Sequence, residues 1–499
     1  MFLMARWSNC GHCANFKNST YSKGYIFLKI GDLLLYCVKI LILHIRFKCS
    51  REIHFPPNKA GNEFPGYIAF DKQTFSMRKL ITVLFFVLFA TLHAQSDKLK
   101  AVDSIYSENI RTVRFYAGGN PTSTPIMDLK NGNLSLVFDD MDVEVKDYMF
   151  SIEQYSRNWQ PSKLDKLEYL EGFNEERITN YKNAFTTNVA YMHYSFSLPT
   201  ETMRITKSGN YLLKVFEDNA EKKVVITRRF VVYEQILIPM PQMTYSSTLR
   251  YNTHHEMDII IDPKQFRVQN PINDLKITIL QNGRWDNAIN LMKPSHVQGE
   301  KIMFDYQDSI TFPAGKEWRY VDLRSTRFRS ERVMSINKGD DTWDYVLRND
   351  LDRSREPYLI YPDLDGGYFI ENTDFSNNDD RALKSDYINV HFTLLRKLEV
   401  DEADVYLFGA LTDWKIDERF KLTYDAQKKG YEADVLLKQG FYNYNYIVVP
   451  KNTKQIDMET LEGNWYETEN EYTLLVYFTP FGSRHDRVIG YLTFKSNRK

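Results

Sequence analysis

The chain has 499 residues with 64 Lys+Arg against 65 Asp+Glu, and this near balance changes once its first 94 residues are set aside. Those hold 12 Lys+Arg and 4 Asp+Glu, so the remaining 405 residues carry 52 against 61, a net charge of −9. An acidic chain without a basic tail offers no electrostatic footprint for nucleic acid or for an anionic membrane surface, which removes both as expected partners.

The segment from Met77 to Gln95 reads Met-Arg-Lys, an apolar run from Leu80 to Leu92, and then Leu-His-Ala-Gln. A charged start, a short apolar core and a small residue at the cut form the layout of a secretory signal peptide, with cleavage expected between Ala94 and Gln95. The apolar run has 13 residues, whereas a bilayer-crossing helix needs roughly 20, so no direct membrane insertion is expected. No cysteine follows that could accept a lipid.

Residues 1–76 then stand in front of a signal that works only at an N-terminus, and a mis-assigned start with no fold of its own is expected there. All four cysteines (Cys10, Cys13, Cys37, Cys49) lie in this stretch. Cys10-Gly-His-Cys13 lacks a second ligand pair at matching spacing. The charges Lys29, Asp32, Lys39 and Arg46 interrupt the apolar run Tyr25 to Phe47.

Beyond Gln95 the chain shows short runs of period-two alternation separated by turn residues, the pattern of half-buried strands. Leu134, Leu136 and Phe138 share one face of a strand; Tyr148, Phe150 and Ile152 share the next. Tyr194, Phe196 and Leu198 follow, then Tyr211–Phe216 and Val224–Tyr233. This spacing predicts a sandwich over 97–238, with one short helix within Ser162–Lys182 from Leu164, Leu167, Tyr169 and Phe173. Pro239-Met-Pro241 marks a boundary, because proline cannot donate to a sheet ladder.

A central sandwich is expected over 242–385, with strands at Met257–Ile261, Leu275–Gln281 and Arg319–Arg324. The Asn-, Asp- and Ser-rich stretch Glu371 to Asp386 reads as a loop. A third, immunoglobulin-like sandwich is expected over 387–499, through Val405–Phe408, Tyr431–Leu437, Phe441–Val449, Tyr472–Phe478 and Val488–Phe494. The fold class is all-β, tandem immunoglobulin-like β-sandwiches.

No motif calls for reaction chemistry. Gly-x-Ser-x-Gly, His-Glu-x-x-His, a P-loop and a dinucleotide fingerprint are all missing from the sequence, so no catalytic residue, cofactor or small-molecule substrate is expected. The run Asp139, Asp140, Asp142 and Glu144 has the carboxylates of a calcium loop without its spacing, and reads as a hairpin turn. His254 and His255 are adjacent, and in a strand they point to opposite faces, so no metal site is expected there. Glu171, Glu175 and Glu176 could be imagined as glycosidase acids, but loop carboxylates are ordinarily solvated or ion-paired.

Aromatic residues make up 14% of the chain, with 33 tyrosines. Tyr442, Tyr444 and Tyr446 share one face of a strand and Phe441 and Ile447 the other; one face must be core, and the second is either a contact surface or buried as well. Tyr442, Tyr444, Trp414 and Trp465 are the candidate aromatic contact residues, because binding patches are rich in such side chains.

Two family resemblances overlay this reading. Phe138-Asp-Asp-Met-Asp142, Lys146-Asp-Tyr148, Trp159-Gln-Pro-Ser162, Glu168–Arg177, His193-Tyr-Ser195 and Thr206–Val215 resemble the N-terminal domain of the type IX secretion system plug proteins of Bacteroidetes. Ala314–Trp318 and Asp322-Leu-Arg-Ser-Thr-Arg327 resemble that family's central region. The resemblance implies a periplasmic protein that docks on a giant outer-membrane β-barrel translocon and closes it while no cargo passes. Separately, Val405–Trp414, Tyr431 and Gly440–Val448 are similar to the glycogen-binding sandwich found beside amylase-type domains. That likeness implies the alternative, a periplasmic or surface glycan-binding protein in which Trp414 stacks on sugar.

Overall fold

The structure, a computed structural model, describes residues 99–246, 250–375 and 381–496. The expected signal segment, its cleavage site at Ala94 and Gln95, and residues 1–76 lie outside the described residues. Among the described residues strands dominate, and the α-helices are single turns of four residues.

The first sandwich forms because alternating apolar positions of two sheets need each other's cover. One sheet contains Tyr148–Tyr155, Gly209–Glu217 and Val224–Tyr233; the facing sheet contains Ile110–Ala117, Leu134–Asp140, Met192–Leu198 and Asn180–Asn183. Leu134, Leu136 and Phe138 on one side meet Phe150, Ile152, Tyr211 and Leu213 from the other, all at 0–1% exposure. Each such side chain contributes about 1.5–3 kcal/mol of burial. The expected helix is one turn, Lys166–Tyr169, because the chain then pairs as Leu170–Gly172 with Met203–Ile205. Tyr169 turns inward, while Leu167 and Phe173, expected to face the core, are exposed.

Sheet membership in the rest of the chain crosses the expected boundaries. The middle sandwich starts with Pro239–Thr244, an edge strand on His254–Ile261, where proline's missing N–H is tolerated. Its second sheet has the order Ile289–Met292, Leu275–Gln281, Glu471–Phe478, Arg487–Lys495. The last two strands come from the stretch assigned to the third sandwich, and Leu474 and Val476 close the core over Ile259, Ile277 and Phe304. The expected 387–499 sandwich is therefore corrected: its final hairpin completes the middle sandwich.

Residues 319–450 form the third sandwich, inserted between the two parts of the middle one. Arg319–Asp322, Val333–Lys338 and Trp343–Leu347, expected in the central sandwich, join Tyr387–Leu395, Ala403–Phe408, Lys421–Asp425, Gly430–Lys438 and Gly440–Pro450 in one ten-stranded sheet. Side chains from both ends of that sheet, Val321 and Val333, enter one core with Val405 and Tyr444, so the sheet folds over on itself.

Candidate interaction site at the joints between the sandwiches

Charged and polar side chains whose partners lie far away in sequence join the three sandwiches. Asp139, at the inner end of Leu134–Asp140, is 1% exposed and accepts from Lys438 Nζ at 2.6 Å, Tyr387 Oη at 2.8 Å and His193 Nδ1 at 2.6 Å. Lys438 Nζ also sits 4.0 Å from the ring centre of Tyr191. Burial acts to raise the Asp139 carboxyl, but Lys438 and His193 outweigh it and hold it at about 2. The acidic run read as a turn thus begins with two strand residues: Asp140, also buried, accepts from Tyr148 Oη at 2.8 Å. A second weld lies alongside, where Asp386 accepts from the backbone N–H groups of Asn188 and Val189 at 2.8 and 3.1 Å.

The first and middle sandwiches share an apolar seam of Ile126, Val231, Leu475, Tyr477 and Val488. The connecting residues are themselves paired to the C-terminal hairpin: Glu234 N–H donates to Val488 O at 2.8 Å and Leu237 N–H to Ile489 O at 2.9 Å. A side chain at Gly490 would come within 2.8 Å of Leu237 O, so this approach requires glycine.

Where the three sandwiches meet lies a cavity of about 590 Å³, lined in part by Phe115, Arg228 and Arg229 of the first, Trp285 of the middle and Asp365 and Trp414 of the third. Arg229 lies 5.4 and 5.2 Å from the ring centres of Trp159 and Trp285 and donates to Asp103 at 2.7 Å. Arg228 donates to Asp413 at 2.9 Å. Asp413 and Trp414 both have left-handed backbone, φ +53° and +57°, held by bonds to Ala410 O and Gly409 O. Asp365 is the exception to this pairing: burial, and then repulsion from Asp363, push its carboxyl up to about 8.

The sequence-derived contact residues fall mostly inside. Tyr442 and Tyr444 are corrected from contact surface to core: they are 3% and 1% exposed, and Tyr444 Oη donates to the buried Asp350 at 2.8 Å. Asp350 also takes Arg319 at 3.0 Å, and Arg319 reaches Glu462 at 3.0 Å, so that face of the strand covers an internal ion network. Trp414 is half-buried, with Arg284 5.1 Å from its ring centre and Trp318 and Phe408 meeting it edge-on at 5.4 and 5.6 Å. Trp465 is half-buried, with Lys316 Nζ 6.0 Å from its ring centre.

Motifs set aside in the sequence have structural partners. His255 is buried between Tyr472 Oη and Tyr466 O at 2.9 and 2.7 Å, whereas His254 meets Thr253 Oγ1. Glu171 pairs with Arg204, Glu175 with Lys222, and Glu176 accepts from Thr200 and Thr202. Among the described residues no three His, Cys, Asp or Glu side chains gather as a metal site would require. What the joints do chemically is hold charge inside the protein.

The fold and its joints define the class: an all-β protein of stacked sandwiches, one of them interrupted by another. A crystal structure of a hypothetical protein from Parabacteroides merdae is similar at a TM-score of 0.75 and 30% identity, over 80% of this chain and all of that one. Part of an alpha-2-macroglobulin from Escherichia coli aligns at 12% identity over 39% of this chain and 98% of that one, with a TM-score of 0.12. No curated protein matches. The profile of the family described as "Type 9 secretion system plug protein 1st domain" matches residues 110–234, the first sandwich. The first sandwich therefore carries the first domain of the type IX secretion system plug protein family.

Proposed function

We propose that the protein is a non-enzymatic plug that docks on the periplasmic side of the type IX translocon, a giant outer-membrane β-barrel, and seals it in the absence of cargo. A stopper has to keep its shape against a pore, and the welded joints support this reading. Asp139 with Lys438 ties the first sandwich to the third, and the paired residues 234–237 tie the first to the middle. The glycan-binding alternative rests on an open aromatic face, and the ring of Trp414, the residue that would stack on sugar, is half-buried against Arg284, Trp318 and Phe408. The test is co-purification: tagged protein captured from detergent-solubilised outer membranes brings down the translocon barrel, and immobilised α-glucan does not retain it. Retention on glucan with no barrel recovered would contradict the proposal.

A further inference from the structure

A feature outside the joints concentrates positive charge on this acidic chain. The loop between Arg319–Asp322 and Val333–Lys338 contains Leu323-Arg-Ser-Thr-Arg327, the rest of the run from Asp322 singled out in the sequence, followed by Phe328-Arg329. Phe328 is 77% exposed, between the exposed Arg327 and Arg329, and Met334 is 58% exposed nearby. Arg348 joins them from the neighbouring strand end, and Arg327, Phe328, Arg329 and Arg348 border a shallow hollow of about 820 Å³.

The arginines Arg327, Arg329 and Arg348 form no ion pair among the described residues, whereas the adjacent Arg332 is spent on Asp350 and Arg324 on Asp322 and Glu371. Among the described residues one carboxylate borders the hollow, that of Glu331, and it accepts from Tyr320 Oη at 2.9 Å. The loop is also fixed before any partner arrives. Asp374 accepts from Ser325 Oγ and Thr326 N–H at 2.5 and 2.8 Å, and Ser325 Oγ accepts from the N–H groups of Arg327 and Phe328 at 3.1 and 3.0 Å. Arg329 Nη1 donates to Met334 O at 2.7 Å and Arg348 Nε to Glu331 O at 2.9 Å, which orients both guanidinium planes.

We propose that this loop is a docking face that grips an acidic segment of a protein partner, with Phe328 as the apolar anchor and Arg327, Arg329 and Arg348 as carboxylate ligands. Under the plug reading, on which this identification of the partner rests, that segment belongs to the periplasmic side of the translocon. Guanidinium forks match carboxylates two bonds at a time, and aromatic, Met and Arg side chains form the energetic centres of protein interfaces. The concavity favours a protruding protein segment over a bilayer, which presents no protrusion to fill a hollow. Preorganisation of the loop lowers the entropy lost on docking.

The test uses the full exported chain and three probes: purified translocon barrel in detergent, a fluorescent oligoglutamate peptide, and phosphatidylglycerol vesicles. The expected result is barrel binding that weakens with salt, falls at least about tenfold in R327E/R329E, falls in F328A, and is unchanged in K428E, a charge reversal elsewhere on the surface. If wild type binds the barrel and R327E/R329E binds equally well, the docking face is overturned and the plug reading stands. If wild type does not bind the barrel, the plug reading fails, and the peptide decides the face. Peptide binding lost in R327E/R329E keeps an acidic protein partner, and no peptide binding overturns it. Vesicle binding that needs Arg327 and Arg329, without peptide binding, overturns it in favour of a membrane surface. Arg327, Phe328 and Arg329 are exposed, so an unchanged melting temperature separates lost docking from lost folding.

Discussion

At Asp139 the residue-scale account can be tested by removing one partner at a time. Lys438→Met leaves a buried carboxylate facing Tyr387 and His193, and a loss of about 3–5 kcal/mol is expected in denaturant melts. Adding Asp139→Asn recovers part of that loss, so the double mutant falls short of the sum of the singles. The pH dependence follows from the sign of the shift. The folded carboxyl of Asp139 lies below its ordinary 3.8, so its contribution is complete above that value and is lost as the pH falls toward about 2. Asp365 runs the other way: its folded carboxyl, near 8, holds its proton, and stability is lost as the pH rises from 3.8 through about 8. Asp365→Asn is therefore expected to raise the melting temperature at alkaline pH and to leave it nearly unchanged in acid; equal effects at both ends would contradict the assignment. None of this was legible in the sequence. Asp139-Asp-Met-Asp142 has the composition of a turn, and Lys438 lies 299 positions away.

At the scale of elements, legibility followed locality. Strands such as Val224–Tyr233 and Leu275–Gln281 are legible to the residue because a β-branched, apolar run bounded by turn residues is a local signal. Which sheet a strand joins is not local. Leu275–Gln281 pairs with Glu471–Phe478 across nearly two hundred residues, and nothing within either run announces the other. Chain order suggested three sandwiches in tandem, whereas burial of Leu474 and Val476 over Ile259 and Phe304 required an insertion. Tyr442 and Tyr444 were misplaced for a related reason: alternation tells the two faces apart but not which one the folded-over sheet encloses. A fragment spanning 99–236 keeps both sheets of the first sandwich and is expected to melt cooperatively by circular dichroism. A fragment spanning 387–496 lacks Val321 and Val333 from its own core and strands the final hairpin, so no cooperative melt is expected. A cooperative melt of the second fragment would contradict the sheet assignment.

For the whole molecule, the paired connection at 234–237, the Asp139–Lys438 ion pair and the insertion of one sandwich into another each restrict movement at a joint. Under the proposed plug function, such a body suits a part that fills an opening, with exposed groups such as Phe328 and Arg329 left to make contact. The sequence carried the family through the motifs of the first sandwich, but the rigidity depends on contacts between segments that only folding brings together. The most direct measurement of the central claim is outer-membrane permeability to a normally excluded large solute in strains lacking this protein, the translocon, or both. The account predicts a leak when the protein alone is missing and none when the translocon is missing too. An unchanged barrier in the first strain, or a leak that persists without the translocon, would contradict it.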